Sequence, residues 1–413
     1  MPNELEQSIS SGVLQLSGPW NANSHTTTPN LFSDVDRLYF SWVERDSVQS
    51  YLKYSALENE TWDAEQIINQ GDDWFINWAD FPQIAAYDDY MVATFLQRSA
   101  DGAYTYDIYY TVKEGQNSWK APVKLHRDNT KTEHGFVSIS PGNEGFFISW
   151  LDGRNTVNNE QSVPNGHDNG SHEHSTGAMT LRSTMVNFEG DLGKESLIDS
   201  RVCDCCQTAV AWSEDNQAIV AYRGRSQNEV RDILLRQGNP DKGWTDAIST
   251  NDNWLIPGCP VNGPAIDVYG ENLALAWFTA AADQPRVQVA FSSVKNLSLS
   301  QTIRMDSGSA IGRVDLVQVS PDSAIVSWVE PVGDSDFIRA QWVNKKGQKG
   351  PLITISKTSA ERATGFPRMV SHKEHLYLVT TQSKSDKTSE ISLKVWPKSI
   401  MLPEHINDVI VND

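Results

Sequence analysis

Four cysteines are the residues in this chain whose type and spacing most directly suggest chemistry. Cys203, Cys205 and Cys206 stand together in the tetrapeptide CDCC, and Cys259 lies in the segment PGCP. Thiolates that converge on one point suit a soft metal ion, and we predict copper, as Cu(I), ahead of zinc. The alternative is two structural disulfides and no metal, and four cysteines allow three such pairings. Both states stay open at this stage because the sequence alone does not fix the redox compartment.

Histidines are predicted to complete this metal site. His25 and His134 occupy positions in other repeats of the chain that correspond to the CDCC segment. Three more histidines lie in a polar, Gly/Asn-rich insertion over residues 155–176, namely His167, His172 and His174. Exposed histidines in such a loop are more often simply solvated than bound to metal. We nevertheless predict that this loop lies on the same face as the cysteines.

Charged side chains near the ends of predicted strands suggest a substrate site beside the thiols. The predicted catalytic residues, as proton carriers or as anchors for an anionic substrate, are Asp152, Glu330, Arg223 and Arg225. The predicted substrate-binding residues are Arg154, Arg313 and Arg368. Guanidinium groups that face one opening favour a carboxylate or another anion as ligand. The alternative is a network of ion pairs between repeats, with acidic partners at Asp152, Glu229 and Asp232.

These residues converge only if the chain folds as a closed repeat, and a repeat is visible. An alternating apolar segment recurs about every fifty residues and ends at Trp42, Phe95, Trp150, Tyr222, Trp277 and Trp328, with a degenerate copy at Thr380. Further alternating segments and Gly/Asn/Asp turns surround each copy, which indicates four antiparallel strands per unit. Four-stranded units that repeat radially form a β-propeller.

We therefore predict an all-β fold, a single β-propeller domain of seven four-stranded blades, with six blades as the alternative. The seventh unit lacks its outer strand, and residues near Ser8–Leu16 are predicted to supply it and close the ring. The predicted units lie around 20–72, 73–128, 129–198, 199–252, 253–306, 307–356 and 357–400, with a tail over 401–413. This geometry would bring the candidate residues to one mouth of the central channel.

Composition narrows the partners and the location. The 413 residues include 34 Lys and Arg against 53 Asp and Glu, and the net charge of −19 repels nucleic acid and anionic lipid. We expect no nucleic-acid partner, no membrane insertion, and a monomer that acts on a small molecule or a glycan. The first residues, MPNELEQSIS, show no signal-peptide pattern. We expect a periplasmic or secreted protein without its signal peptide, with a cytoplasmic protein as the alternative.

Three segments resemble bacterial sialidase-like propeller proteins: WLDGR, CDCC followed by QTAVAW, and YRGRS with EVRDI. The resemblance runs from about Pro29 to Trp396 and implies a propeller fold. True sialidases have six blades, bind the sialic-acid carboxylate with three arginines, and use a Tyr/Glu nucleophile pair with an Asp acid. The segment SADGAYTY keeps part of their repeated Asp box, with Ala103 in place of Gly and Tyr106 in place of Trp. The chain contains no F-R-I-P segment.

Three functions follow from these patterns. The first is an exported metalloprotein with a Cys/His copper or zinc site, acting as a metal-dependent oxidoreductase on a small substrate. The second is an exo-α-sialidase-type glycoside hydrolase, which uses the arginines and an acid pair. The third is a non-catalytic propeller that binds a glycan or a protein and holds its cysteines in disulfides.

Overall fold

The chain folds almost entirely into short antiparallel strands. The computed structural model describes residues 9–21, 24–157, 177–384 and 388–403. Within these ranges lie thirty strands and three short 3-10 turns, at Ala281–Asp283, Arg362–Thr364 and Lys398–Met401. None of the helical segments in these ranges is long and apolar enough to cross a membrane. The strands form seven sheets, each of four or five strands.

The first strand, β1 (Leu14–Leu16), belongs to the last sheet, and the other strands follow in chain order. Blade 1 contains β2 (His25–Ser33), β3 (Leu38–Arg45), β4 (Ser50–Glu58), β5 (Thr61–Trp62) and β6 (Gln66–Gly71). Blade 2 contains β7 (Gln83–Tyr87), β8 (Tyr90–Arg98), β9 (Tyr106–Glu114) and β10 (Val123–Lys124). Blade 3 contains β11 (His134–Gly142), β12 (Gly145–Asp152), β13 (Thr180–Asn187) and β14 (Ser196–Asp199).

The second half of the chain repeats this order. Blade 4 contains β15 (Ala209–Trp212), β16 (Ala218–Arg223), β17 (Ile233–Asn239), β18 (Gly243–Trp244) and β19 (Ile248–Ser249). Blade 5 contains β20 (Ala265–Tyr269), β21 (Asn272–Thr279), β22 (Arg286–Ser293) and β23 (Ile303–Arg304). Blade 6 contains β24 (Gly312–Ser320), β25 (Ser323–Val332), β26 (Ser335–Asn344) and β27 (Lys349–Thr358). Blade 7 contains β28 (Arg368–His372), β29 (His375–Ser383), β30 (Ser389–Pro397) and the early strand β1.

The seven sheets form a closed ring. The innermost strands β2, β7, β11, β15, β20, β24 and β28 each contact the next one, and β28 contacts β2. The structure is therefore a seven-bladed β-propeller, which confirms the predicted fold class and excludes the six-bladed alternative. The recurring aromatic residues fill the core between blades, where Trp42, Trp150, Trp277 and Trp328 are all buried.

The N-terminal strand closes the ring as the sequence predicted. Leu14 pairs with Val395, Gln15 with Lys394 and Leu16 with Leu393, so β1 is the outer strand of blade 7. Ser8 lies outside the described residues. Closure by a strand from the opposite end of the chain covers the edge that β30 would otherwise expose.

Removing this closing strand should destabilise the whole propeller. We expect a truncation that removes residues 1–17 to lower the melting temperature by several degrees or more, because blade 7 loses its outer strand and exposes an edge. The control is a truncation of residues 1–8, which leaves β1 intact and should melt like the full chain. Thermal unfolding followed by circular dichroism measures both, and equal melting temperatures for the two truncations would contradict the role of β1.

Candidate functional site

The CDCC segment lies where the chain enters blade 4. Val202 bridges to Gly224 at the end of β16, and the backbone N–H of Cys203 donates to the carbonyl oxygen of Arg223 at 2.9 Å. Gln207, the residue after Cys206, lines a cavity of about 110 Å³ that is bounded by the innermost strands of several blades. The cysteines therefore lie beside the central channel, at the start of an innermost strand.

The three sulfur atoms of this segment form a compact triangle. Cys203 Sγ lies 3.6 Å from Cys206 Sγ and 4.0 Å from Cys205 Sγ. A disulfide would bring two sulfurs to about 2.05 Å, and all four cysteines of the chain are free thiols. Thiolates that share one ion at about 2.3 Å lie roughly 3.7–4.0 Å apart in tetrahedral or trigonal geometry. The triangle thus has the dimensions of a metal–thiolate site and not of a disulfide.

Cys259 approaches the same triangle from the loop that leads into blade 5. Its thiol interacts with the thiols of Cys203 and Cys205, and the first of these contacts raises the pKa of Cys259 to about 12. Its side chain is exposed, whereas Cys203 and Cys206 are buried. Cys259 thus lies near the cluster on its solvent side, but its sulfur is not one of the three that lie within 4.8 Å of one another.

Hydrogen-bond donors surround the sulfur atoms. Arg231 Nη1 donates to Cys203 Sγ at 3.2 Å, and the backbone N–H of Asn262 donates to Cys206 Sγ at 3.4 Å. The neighbouring thiols, with help from the Arg231 guanidinium, hold the pKa of Cys203 well below its usual value. Burial raises the pKa of Cys206. Cys203 is therefore the thiol of this cluster that loses its proton first.

Arg223 donates hydrogen bonds to the backbone of the two residues that supply these donors, Arg231 and Asn262. Its Nη1 donates to the carbonyl oxygen of Arg231 at 2.7 Å, and its Nε and Nη2 donate to that of Asn262 at 3.0 and 2.8 Å. The guanidinium also stacks on Trp254 at 4.9 Å and is 2% exposed. Each of the three guanidinium nitrogens of Arg223 thus donates to a backbone carbonyl, which does not favour its predicted role as an anchor for an anionic substrate.

The other predicted arginines also have partners within the fold. Arg225 pairs with Asp204 and Glu229 at the rim of the cysteine cluster, at 3.1 and 2.9 Å. Arg313 donates to a turn before blade 7, accepted by Thr364 Oγ1 and by the carbonyl oxygens of Ala360, Glu361 and Gly365. The contacts of Arg225 agree with the predicted alternative, a network of ion pairs, and those of Arg313 are hydrogen bonds within the fold. Neither set of contacts favours a shared site for an anion.

Arg368 is the predicted arginine that faces the central channel. It lines the axial cavity, its Nε lies 3.6 Å from Asp315 Oδ2, and its guanidinium stands over Phe81 at 5.8 Å. Nε has no hydrogen-bond partner among the described residues. Of the predicted substrate-binding residues, Arg368 is therefore the one placed to meet a small ligand.

The two predicted proton carriers are buried parts of their blades. Asp152 accepts from Trp150 Nε1 at 2.9 Å and makes a two-point contact with Arg154, whose Nε and Nη2 each lie 2.7 Å away. Glu330 accepts from Trp328 Nε1 at 2.9 Å in the same two-residue register. Neither carboxylate is more than 3% exposed, so neither is placed to exchange protons with solvent. The repeated W-x-D/E pattern was the sequence signal for this structural role.

Two of the predicted histidine ligands, His134 and His25, lie among the described residues. His134 is fully buried at the start of β11, where its ring faces Asp107, Asp128 and His126. His25 begins β2, paired in register with Arg45. Among the described residues, no group of converging ligand atoms combines a histidine with the cysteines. His167, His172 and His174 lie outside the described residues, so the predicted position of their loop is untested.

A carboxyl pair bridged by a tyrosine joins Asp80 to Glu133, and the pair was not among the predicted catalytic residues. Tyr106 Oη lies 2.7 Å from Glu133 Oε1 and 3.1 Å from Asp80 Oδ2, and Asp80 Oδ1 accepts from the backbone N–H of Phe136 at 2.8 Å. Burial raises the pKa of Asp80 to about 8 and that of Glu133 to about 7. Tyr106 has one proton to donate, so a proton on Asp80 or Glu133 completes the chain of hydrogen bonds.

Comparison with known proteins supports the fold and nothing finer. No protein-family model and no curated protein matches the chain. The BP39L lectin from Burkholderia pseudomallei matches with a TM-score of 0.59 at 11% identity, over 91% of this chain and 96% of that chain. The polysaccharide lyase Uly1 matches with a TM-score of 0.51 at 8% identity, over 89% of each chain. At such identities the likeness shows the propeller fold alone.

A sialidase is also among the matching structures. The Trypanosoma rangeli sialidase has a TM-score of 0.43 at 10% identity, over 76% of this chain and 54% of that chain. A score this low carries no argument about chemistry.

Proposed function

We propose that the protein binds a thiophilic metal ion, Cu(I) ahead of Zn(II), through the cysteine cluster formed by Cys203, Cys205, Cys206 and Cys259. The observation that carries the proposal is the sulfur triangle, with separations of 3.6 and 4.0 Å and no disulfide. Thiolate ligands select Cu(I) and Zn(II) over harder ions.

The surroundings of the cluster favour a monovalent ion held by the three sulfurs of the CDCC segment. Two of those sulfurs are buried, while the fourth cysteine is exposed at the rim. Arg231 donates to Cys203 Sγ and balances part of the thiolate charge. Zn(II) would need Cys259 as a fourth ligand to reach its usual tetrahedral coordination.

An all-thiolate set stabilises the reduced state of copper, so it favours holding the ion over cycling it between oxidation states. The expected proton carriers of the predicted oxidoreductase, Asp152 and Glu330, are buried. The proposed copper ion is therefore the one remaining support for that activity. A sialidase-type hydrolase is less well supported, because Arg223 and Arg313 donate hydrogen bonds to backbone carbonyl oxygens and not to a substrate site.

Metal analysis of protein purified without chelator, together with titration of free thiols, tests the proposal. We expect one equivalent of thiolate-bound copper or zinc per chain and no disulfide. The Cys259→Ser variant then separates the two ions, because it should keep Cu(I) affinity within a few fold and strongly weaken Zn(II) binding at the thiols. The finding of two disulfides, or of four free thiols with no affinity for either ion, would overturn the proposal.

A further inference from the structure

A second group of metal-ligand side chains lies between blades 2 and 3, apart from the cysteine cluster. Asp107 on β9, His126 in the loop after β10 and His134 at the start of β11 bring one ligand atom each within 4.8 Å of one another. Asp107 Oδ1 lies 3.4 Å from His126 Nε2 and 3.5 Å from His134 Nδ1. All three side chains are buried.

The group contains polar atoms that the rest of the fold leaves without partners. Neither ring nitrogen of His126 makes a hydrogen bond among the described residues, and Asp107 Oδ1 makes none either. His126 is only 1% exposed, so solvent does not satisfy its nitrogens. Leaving a buried polar atom unpaired costs about 1–3 kcal/mol, and native proteins rarely leave several together. An ion bound by Asp107 Oδ1 and by one nitrogen of His126 would satisfy two of these three atoms.

We propose that Asp107, His126 and His134 form a second metal site, specific for a borderline divalent ion such as Zn(II), that fastens blade 2 to blade 3. Imidazole nitrogens and a carboxylate oxygen bind Zn(II) at about 2.0–2.2 Å, which places neighbouring ligand atoms roughly 3.3–3.5 Å apart in tetrahedral geometry. The separation of 3.5 Å between Asp107 Oδ1 and His134 Nδ1 agrees with that spacing, and His126 Nε2, at 3.4 Å from Asp107 Oδ1, lies within reach of the same ion. Water or another small ligand completes the coordination.

The neighbours of the site fix how His134 and Asp107 would bind. His134 Nε2 lies 2.9 Å from Asp128 Oδ2, while Nδ1 lies 3.3 Å from the carbonyl oxygen of Tyr106 and 3.5 Å from Asp107 Oδ1. An ion at Nδ1 would replace the contact with Tyr106, while Asp128 holds the ring proton on Nε2. Lys124 Nζ lies 3.7 Å from Asp107 Oδ2, which leaves Oδ1 for the ion. A carboxylate that accepts from the second nitrogen of the imidazole, as Asp128 would from His134, commonly orients a zinc-bound histidine.

One movement is required on loading. The rings of His126 and His134 are stacked, with centroids 3.8 Å apart and an angle of 9° between the planes. Parallel rings cannot both direct a lone pair at one ion, so one of them must turn. His126 is the ring that turns, because it has no hydrogen bond to break, whereas His134 is held by Asp128. We therefore expect ion binding to change the conformation of the His126 side chain and to leave His134 in place.

The ligand chemistry separates this site from the cysteine cluster, so the two are tested independently. The probe is Co(II), followed by Zn(II), added to metal-free protein that carries Cys203→Ser and Cys206→Ser. We expect this variant to bind one equivalent of Co(II) with ligand-field absorption typical of nitrogen and oxygen ligands and without sulfur-to-cobalt charge transfer. Zn(II) should displace Co(II) and raise the melting temperature, because it binds the folded state.

Adding His126→Gln to the cysteine variant should abolish this Co(II) spectrum and the zinc-dependent rise in melting temperature. The control is His375→Gln in the same background, which removes a histidine of blade 7 and should change neither. If His126→Gln does not fold, Asp107→Asn replaces it, and the zinc response of the cysteine variant itself remains a complete test. The proposal is overturned if the cysteine variant binds neither ion, or if His126→Gln or Asp107→Asn leaves the stoichiometry at one.

Discussion

Replacing both Cys203 and Cys206 by serine is expected to weaken Cu(I) binding by a hundredfold or more, while the propeller stays folded. The loss of an outer hydrogen-bond partner alone costs about 10–100-fold in metal affinity, and here two ligands are lost. The core should survive because it is built from the aromatic residues between the blades, such as Trp150 and Trp277, and not from the thiols. Competition for Cu(I) against a chromogenic chelator measures the affinity, and circular dichroism measures the fold.

The control for this double variant lies in the same tetrapeptide. Asp204→Asn removes a charge that pairs with Arg225 but leaves every sulfur in place. It should therefore bind Cu(I) nearly as tightly as the unaltered chain. If the double serine variant and Asp204→Asn bind Cu(I) equally well, the copper lies elsewhere.

A second large effect is expected on the pH dependence of stability, through Asp80. The folded-state pKa of Asp80 is about 8, because burial disfavours its charge, whereas an unfolded aspartate has a pKa near its ordinary 3.8. The folded state thus binds the proton more tightly, and stability falls as pH rises from above the unfolded value through about pH 8. Each pH unit in that window costs about 1.4 kcal/mol per such group.

Asp80→Asn mimics the protonated carboxyl and should flatten this decline. Urea unfolding between pH 5 and 8 gives the free energy of unfolding for both proteins. The difference in this free energy should shift in favour of the variant as pH rises. Glu133, whose pKa burial raises to about 7, leaves a residual slope in the variant. The control is Asp101→Asn, at an exposed turn position, which should run parallel to the unaltered chain. A parallel course for Asp80→Asn as well would show that Asp80 titrates normally.

The fold was predictable because it repeats. Alternating apolar segments that end in Trp42, Trp150 or Trp328 recur with the same turn residues, and each copy had to be a strand with one buried face. The same register placed CDCC and Cys259 at the starts of neighbouring innermost strands, so their convergence followed from blade geometry. The closing strand was predictable from what the last unit lacked.

The roles of the charged residues were not predictable in this way. Whether an arginine faces a ligand or the backbone depends on the course of loops, and the loop carbonyls around Asn262 and Glu361 enclose Arg223 and Arg313. His126 was not predicted as a metal ligand because it follows an outer strand, and the predicted ligands were sought at positions that line the channel. Its partner His134 was singled out, but the side chains that meet it come from the adjacent blade.

The pairing of β1 with β30 also sets an order of events during protein synthesis. Leu14–Leu16 is made more than 370 residues before its partners Leu393–Val395. Until those partners are made, β1 has no sheet to join and the ring stays open. Cys203 and Cys206 face a similar though shorter wait, because Asn262, which donates to Cys206, is made more than fifty residues later. Newly made chains therefore pass through a stage in which Cys206 lacks its hydrogen bond from Asn262 and the thiols are open to an oxidant or a free metal ion.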